Sequence, residues 1–311
     1  MDLLQILLGV ALLYAGGEGL VRGASALGRT LGLTPMVIGL TVVSFGTSSP
    51  ELAASLAAVL QGSPAVSFGN IVGSNIANLG LVLGATAAIW PLAVAARFLQ
   101  RDMPFLIVVS LSMFWVVRDG SVDRLEGLVL VVVLAVYLRL VFREPAETEE
   151  VRAEFAREYG TVKFNIAWSL FLVAAGIGLL VLGANSLVQG AVGIARSLGV
   201  SERVIGLTIV AFGTSLPELA ACIVAAIKRE GDIVLGNLIG SNVFNILFIL
   251  GVTALVHPLR VEAQAVRLDL VVMLGLTLVV WGFLTTGRRL VRWEGVVLFV
   301  GYCVYTAWLF V

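Results

Sequence analysis

Glu51 stands directly after Pro50 inside the apolar run MVIGLTVVSFGTSSPELAASLAAVL, Met36 to Leu60. Thr47, Ser48 and Glu51 fall at i, i+1 and i+4, so Thr47 and Glu51 share one face of a helix. Ser74 and Asn78, also four apart, follow in GNIVGSNIAN. A second set, Thr214, Ser215, Glu218, Ser241 and Asn245, comes later in the chain. Every one of these side chains offers oxygen, and none offers thiolate or imidazole. Hard oxygen donors suit Ca²⁺, Na⁺ or Mg²⁺ and argue against Zn²⁺ or copper. Pro50 has no N–H and its ring clashes with the carbonyl four residues back, that of Gly46, so the helix must kink or break there. Pro217 does the same to Gly213. In hydrocarbon a freed carbonyl is costly unless it lines a polar cavity. Each set thus couples a carboxylate to freed carbonyls, which is equipment for holding a dehydrated cation. Two ionised glutamates would be balanced by one Ca²⁺ or two Na⁺. Left unpaired, each charge costs at least about 2.5 kcal/mol at the centre of a bilayer. Such a site reorients readily only when loaded, and that is the physical basis of exchange.

The elements that must carry these residues are membrane helices. Of the 311 residues 59% are hydrophobic and 13% charged, with a mean hydropathy of +1.03. A soluble domain carries about 25% charged residues. A spanning helix needs about 20 apolar residues. Ten candidates run roughly 3–28, 34–60, 65–92, 102–118, 124–142, 164–195, 203–227, 233–256, 268–286 and 293–311. They are continuous apolar runs without two-residue alternation, which argues against a β-barrel. The N-terminus, MDLLQILLG, lacks a basic n-region and reads as the first span. Cys222 and Cys303 both fall within spans, so no disulfide framework is indicated.

One polar stretch, REPAETEEVRAEFAREYGTVK at 143–163, reads as a solvated linker between two similar halves. Residue n of the first half matches residue n+167 of the second. Gly39 to Gly84 aligns with Gly206 to Gly251 over 46 residues without a gap, 22 of them identical. The shared polar positions are the informative ones: Thr41, Thr47, Ser48, Pro50, Glu51, Asn70, Ser74, Asn75 and Asn78 all recur. Five spans per half is an odd number, so the second half enters the membrane from the opposite side. The expected fold is all-α and polytopic: ten transmembrane helices as two inverted-topology five-helix repeats, about 3–142 and 164–311. One intramembrane carboxylate could be a structural hydrogen-bonder. Two at repeat-equivalent positions, each beside a proline, argue for ligands at the repeat interface. Asn70, Asn75, Asn237 and Asn242 suit helix–helix hydrogen bonding as well as ligation. Gly69, Gly73, Gly236 and Gly240 would let helices approach closely around the site. Glu18, whose counterpart is Asn185, is expected to pair with Arg22 on its own helix. Asp102 and Asp269 are expected to cap spans four and nine.

With the N-terminus outside, the inside connections hold 14 Lys and Arg and the outside ones 6. The bias of positive charge to the cytoplasm then puts both termini outside a plasma (inner) membrane. The formal net charge is +0, and the basic residues lie in short separate loops, which gives no basis for nucleic-acid binding. Nothing calls for a cofactor or an obligate protein partner. A serine hydrolase built on Ser48 or Ser215 would need a general base, and the one histidine, His257, lies in a loop. A cation channel would use similar ligands without reorienting.

GTSSPEL…GNIVGSN and GTSLPEL…GNLIGSN resemble the two α-repeats of the cation/Ca²⁺ exchanger superfamily, in particular its prokaryotic Na⁺/Ca²⁺ exchangers. The resemblance covers nearly the whole chain. It implies a transporter, not an enzyme: a Ca²⁺/Na⁺ antiporter working by alternating access, or alternatively a Ca²⁺/H⁺ antiporter with the same site. It implies that spans 2, 3, 7 and 8 surround the ions while spans 1 and 6 slide across them. Glu51 and Glu218, with the carbonyls of Thr47 and Thr214, would take Ca²⁺. Ser48, Ser74, Ser215 and Ser241, with backbone oxygen near Ser44 and Ala211, would complete Na⁺ sites. Asn78 and Asn245 would line the centre. Some relatives, K⁺-dependent ones among them, carry Asp where this chain has Asn245, which argues against K⁺ co-transport. Proton-coupled relatives typically carry a GNAxE-type motif instead of GTSxPE, which favours Na⁺ over H⁺.

Overall fold

A computed structural model of the chain describes residues 2–143, 165–199, 211–261 and 263–309. Nearly all of the expected linker, and residues 200–210 with the start of the expected seventh span, lie outside the described residues. The helices are α1 (Asp2–Leu31), α2 (Pro35–Thr47), α3 (Ser49–Leu60), α4 (Pro64–Ile89), α5 (Phe98–Val116), α6 (Arg124–Phe142), α7 (Ile166–Ser197), α8 (Ala211–Thr214), α9 (Leu216–Ile227), α10 (Gly231–Val256), α11 (Ala263–Thr285) and α12 (Arg292–Trp308). Among the described residues seven helices are long and apolar enough to cross a membrane: α1, α4, α5, α6, α7, α10 and α11. Helices suit that medium because every backbone group is satisfied within the segment.

Their ends follow local chemistry. Thr34 caps α2 by accepting the Val37 N–H at 3.2 Å, and Pro35 occupies the first turn, where a missing N–H costs nothing. Asp123 and Glu126 form a reciprocal capping box on α6. The expected caps at Asp102 and Asp269 are not made. Helix α5 opens four residues before Asp102 with a π-helical turn, Phe98–Asp102, and Asp102 makes no capping bond. Its carboxylate instead accepts from Arg101 at 2.6 and 3.0 Å and from the Tyr137 hydroxyl at 2.9 Å. Asp269 lies within α11 and accepts from the Tyr305 hydroxyl at 2.7 Å. Each carboxylate thus takes a charge-assisted bond from a phenol on a neighbouring helix, which is stronger than a neutral one.

The halves interlock. Helices α1 and α7 run antiparallel along their lengths, and glycines hold them together. Gly9, Gly16 and Gly23 on α1 meet Gly183, Gly176 and Ser169 on α7 so closely that a Cβ on any of these glycines would strike backbone. Gly84 on α4 abuts Gly295 on α12, and Gly251 on α10 abuts Gly127 on α6. Both α4 and α10 therefore lean on a helix of the other half. Two strand pairs repeat the exchange: β1 (Leu92–Ala93) with β4 (Arg289–Leu290), and β2 (Ser121–Val122) with β3 (Leu259–Arg260), both antiparallel. These strands interrupt loops in which no strand is expected from sequence. Two residues give too little pattern to read.

Candidate cation site

The Pro50 segment breaks as its sequence requires. α2 ends at Thr47, Ser48 leaves helical geometry with φ −83° and ψ 3°, and α3 starts at Ser49. Ser215, at φ −88° and ψ 2°, divides α8 from α9 in the same way. The backbone bonds across the first break run from Ser48 N–H to the Ser44 carbonyl (2.9 Å) and from Leu52 N–H to the Ser48 carbonyl (3.2 Å). Neither uses the Thr47 carbonyl. The Gly46 carbonyl, freed by Pro50, accepts the Ser49 hydroxyl at 2.7 Å. At the second break Leu216 replaces that serine, so Gly213 has no such local cap.

Both glutamates are about 1% exposed, and each has one carboxylate oxygen, Oε2, without a hydrogen-bond partner. The halves meet here. The Ser48 hydroxyl donates to Glu218 Oε1 at 3.4 Å, and the Thr47 hydroxyl donates to Asn237 Oδ1 at 3.2 Å. Ser48, three residues before Glu51, thus touches the glutamate of the other half. Among the described residues no three His, Cys, Asp or Glu side chains gather. The company of the two carboxylates is hydroxyl, amide and carbonyl oxygen, which is the donor set of a hard cation.

The other expected residues fall as follows. Ser74, Ser241, Asn78 and Asn245 are all buried. Ser241 Oγ, Asn78 Oδ1 and both amide atoms of Asn245 have no partner. Ser44 uses its hydroxyl elsewhere, donating to the carbonyls of Gly39 (2.7 Å) and Asn237 (2.9 Å). Its own carbonyl accepts from Ser48 N–H and keeps a second lone pair. Ala211, the counterpart of Ser44, begins α8, and Thr214 ends it. Asn78 and Asn245 each open a π-helical turn, Asn78–Val82 and Asn245–Ile249. Such turns recur at functional sites. Sequence reading missed them, because apolar periodicity does not record one extra residue in a turn.

Asn70 and Asn237 are partnered from the glutamate helices. Asn70 Nδ2 donates to Ser55 Oγ (3.0 Å) and to the Glu51 carbonyl (3.3 Å), and Asn237 Nδ2 donates to Cys222 Sγ (3.3 Å). Gly236 and Gly240 pack against Met36, Gly39 and Leu40 of α2, as expected. Gly69 and Gly73 meet nothing within 4 Å; their repeat-related neighbours, 203–207, lie outside the described residues. Toward the expected cytoplasmic end, Glu18 pairs with Arg22 as expected and also with Lys228 at 2.8 Å, beyond the end of α9. Ser25 on α1 donates to the carboxylate of Glu230 at 2.8 Å.

Apolar helices and a buried, paired carboxylate site define a helical membrane protein built to handle cations. Residues 1–143 and 168–311 match the sodium/calcium exchanger protein family, and the chain belongs to that family. Among its relatives are a putative antiporter CaxA of Alkalimonas amylolytica, 41% identical over 96% of each chain, and the sodium/calcium exchanger MaX1 of Methanosarcina acetivorans, 33% identical over 100% of this chain and 99% of its own. The fold is similar to that of the sodium-calcium exchanger NCX_Mj soaked with zero Na⁺ and Ca²⁺, with a TM-score of 0.85, 32% identity and coverage of 99% of this chain and 98% of that one.

Proposed function

We propose that this chain is a secondary antiporter that exchanges Ca²⁺ for Na⁺ across the plasma (inner) membrane. The observation that carries the reading is the pair of buried glutamates at two helix breaks, joined across the halves by the Ser48–Glu218 contact. Glu51 and Glu218 with the Thr47 and Thr214 carbonyls take Ca²⁺. Ser48, Ser74, Ser215 and Ser241, with backbone oxygen at Ser44 and Ala211, take Na⁺, and Asn78 and Asn245 line the centre. The two carboxylates supply a charge of −2, so one Ca²⁺ or two Na⁺ neutralise the site and permit it to turn over. The cargo crosses unchanged, and no cofactor or obligate protein partner is required.

The architecture we assign is ten membrane helices in two inverted five-helix repeats, about 3–142 and 164–311, with a cytoplasmic linker at 143–163 and both termini outside. The antiparallel course of α1 and α7, which are repeat equivalents, supports the inversion.

Reconstituted vesicles test the function. An imposed Na⁺ gradient is expected to drive ⁴⁵Ca²⁺ flux, and added K⁺ to leave it unchanged. Ca²⁺ flux that ignores Na⁺ and follows a pH gradient would replace this reading with Ca²⁺/H⁺ exchange.

A further inference from the structure

The asparagines of GNIVGSN and GNLIGSN do two different jobs. Asn70 and Asn237 are tied to the glutamate helices. Asn75 and Asn242 are about 1% exposed, and both amide atoms of each have no hydrogen-bond partner. They are repeat equivalents, 167 apart, and each lies three residues before a π-helical turn. At about 100° per residue Asn75 sits about 100° from Ser74 and about 60° from Asn78 on the α4 wheel. Asn242 has the same relation to Ser241 and Asn245 on α10. Both therefore border the faces that carry the candidate ligands.

A buried amide without partners is costly and seldom retained for structure alone. A cation could satisfy the amide oxygens. It could not satisfy the NH₂ groups, which need an acceptor. Water meets both needs at once, accepting from Nδ2 or donating to Oδ1 while its own oxygen faces a cation. Ca²⁺ takes six to eight oxygens and tolerates water among them.

We infer that Asn75 and Asn242 are further site residues that hold water against the bound divalent cation and so complete its oxygen shell. This rests on the exchanger reading for the identity of the ion. Groups that orient a metal's immediate ligands typically alter metal affinity 10–100-fold when removed.

The test uses purified full-length protein and Ca²⁺ alone, with thermal unfolding in detergent followed as Ca²⁺ is titrated. Asn75→Leu and Asn242→Leu keep the branched side-chain shape, at a larger volume, and remove both polar atoms. The melting temperature without Ca²⁺ is recorded for each variant as its own baseline, because the larger side chain can lower it by overpacking. Their Ca²⁺ midpoints are expected to rise about tenfold. An unchanged midpoint would overturn the inference. Alanine variants read the same midpoint should leucine prevent expression. Because this measures binding, it stands apart from the vesicle experiment: absence of Na⁺ coupling there would sink the exchanger reading and leave the water-holding role to be judged here.

Discussion

At the residue scale, the carboxylates and the proline act as one device. Pro50 and Pro217 open the chain, and each glutamate follows directly. Removing one charge leaves the other buried with an odd cation count, so Glu51→Gln and Glu218→Gln are each expected to lower ⁴⁵Ca²⁺ flux at least about 100-fold, the scale of several kcal/mol for breaking a buried ionic arrangement. Near-wild-type flux in either variant would remove that residue from the site. These residues were legible as candidates because a charge in an apolar run has few explanations, and two in register fewer. The Ser49 cap on Gly46 was not legible. It depends on where the break puts a hydroxyl, and it belongs to one half only. Arg229 is another asymmetry. It holds φ at +61° where its counterpart Gly62 has +77°, and its guanidinium lies 5.5 Å from the centre of the Trp90 ring. That conformation costs a side chain about 1 kcal/mol. Arg229→Gly is therefore expected to keep or raise the melting temperature, less whatever the cation–π contact contributes.

At the element scale, α1 and α7 are held by glycines spaced by seven: Gly9, Gly16 and Gly23, and their equivalents Gly176, Gly183 and Gly190. A Cβ on Gly16 would lie 2.7 Å from the Leu180 nitrogen and 2.9 Å from the Gly176 carbonyl, and backbone cannot step aside as a side chain can. Gly16→Leu is expected to cost about 1–3 kcal/mol or more through overpacking, read as a lower melting temperature, whereas Gly178→Ala, where a Cβ meets nothing within 4 Å, is expected to be tolerated. The spacing was open to reading, yet in a chain with 34 glycines it names no partner helix. The clasp between α1 and the turn from α9 to α10 was half legible. Glu18–Arg22 follows from four-residue spacing. Its bond to Lys228 and the Ser25–Glu230 bond join residues over 200 positions apart, which no local pattern encodes. Burial pushes the Glu230 carboxyl up to about 7, against the pull of the Ser25 hydroxyl, Lys228 and Arg29, with Glu18 adding to the rise. The fold thus binds a proton there more tightly than the unfolded chain does. That contribution is complete below about pH 4.5 and is lost as pH rises through about 7. Glu230→Gln is expected to stabilise the protein at pH 8 by on the order of 2 kcal/mol and to change little at pH 5. Equal melting shifts at the two pH values would show that Glu230 does not titrate in this window.

At the scale of the whole molecule, the matching of the halves was plain in the sequence and the exchange of partners between them was not. Internal identity reports that two segments fold alike; it is silent on which half supplies the neighbour. Here the neighbour is repeatedly the other half. Gly84 leans on Gly295 and Gly251 on Gly127, and the β1–β4 pairing maps onto β3–β2 when the halves are superposed in sequence. The site obeys the same rule, with Ser48 reaching Glu218 and Thr47 reaching Asn237. Neither half can then bury its own apolar faces or form the Ser48–Glu218 and Thr47–Asn237 contacts by itself. The contacts between the halves described above all lie within residues 2–143 and 165–309, so they do not depend on the chain being continuous between α6 and α7. A chain divided within 144–164 is therefore expected to assemble when residues 1–143 and 165–311 are co-expressed, and to recover Na⁺-driven ⁴⁵Ca²⁺ flux in vesicles. Either half alone is expected to be degraded or to aggregate, since its exposed glycine seams and unpaired strands lack partners. Stable folding of one half by itself, with a cooperative melt, would mean that the contacts between the halves are an addition to two self-sufficient units, and the swapped packing would lose its explanatory weight.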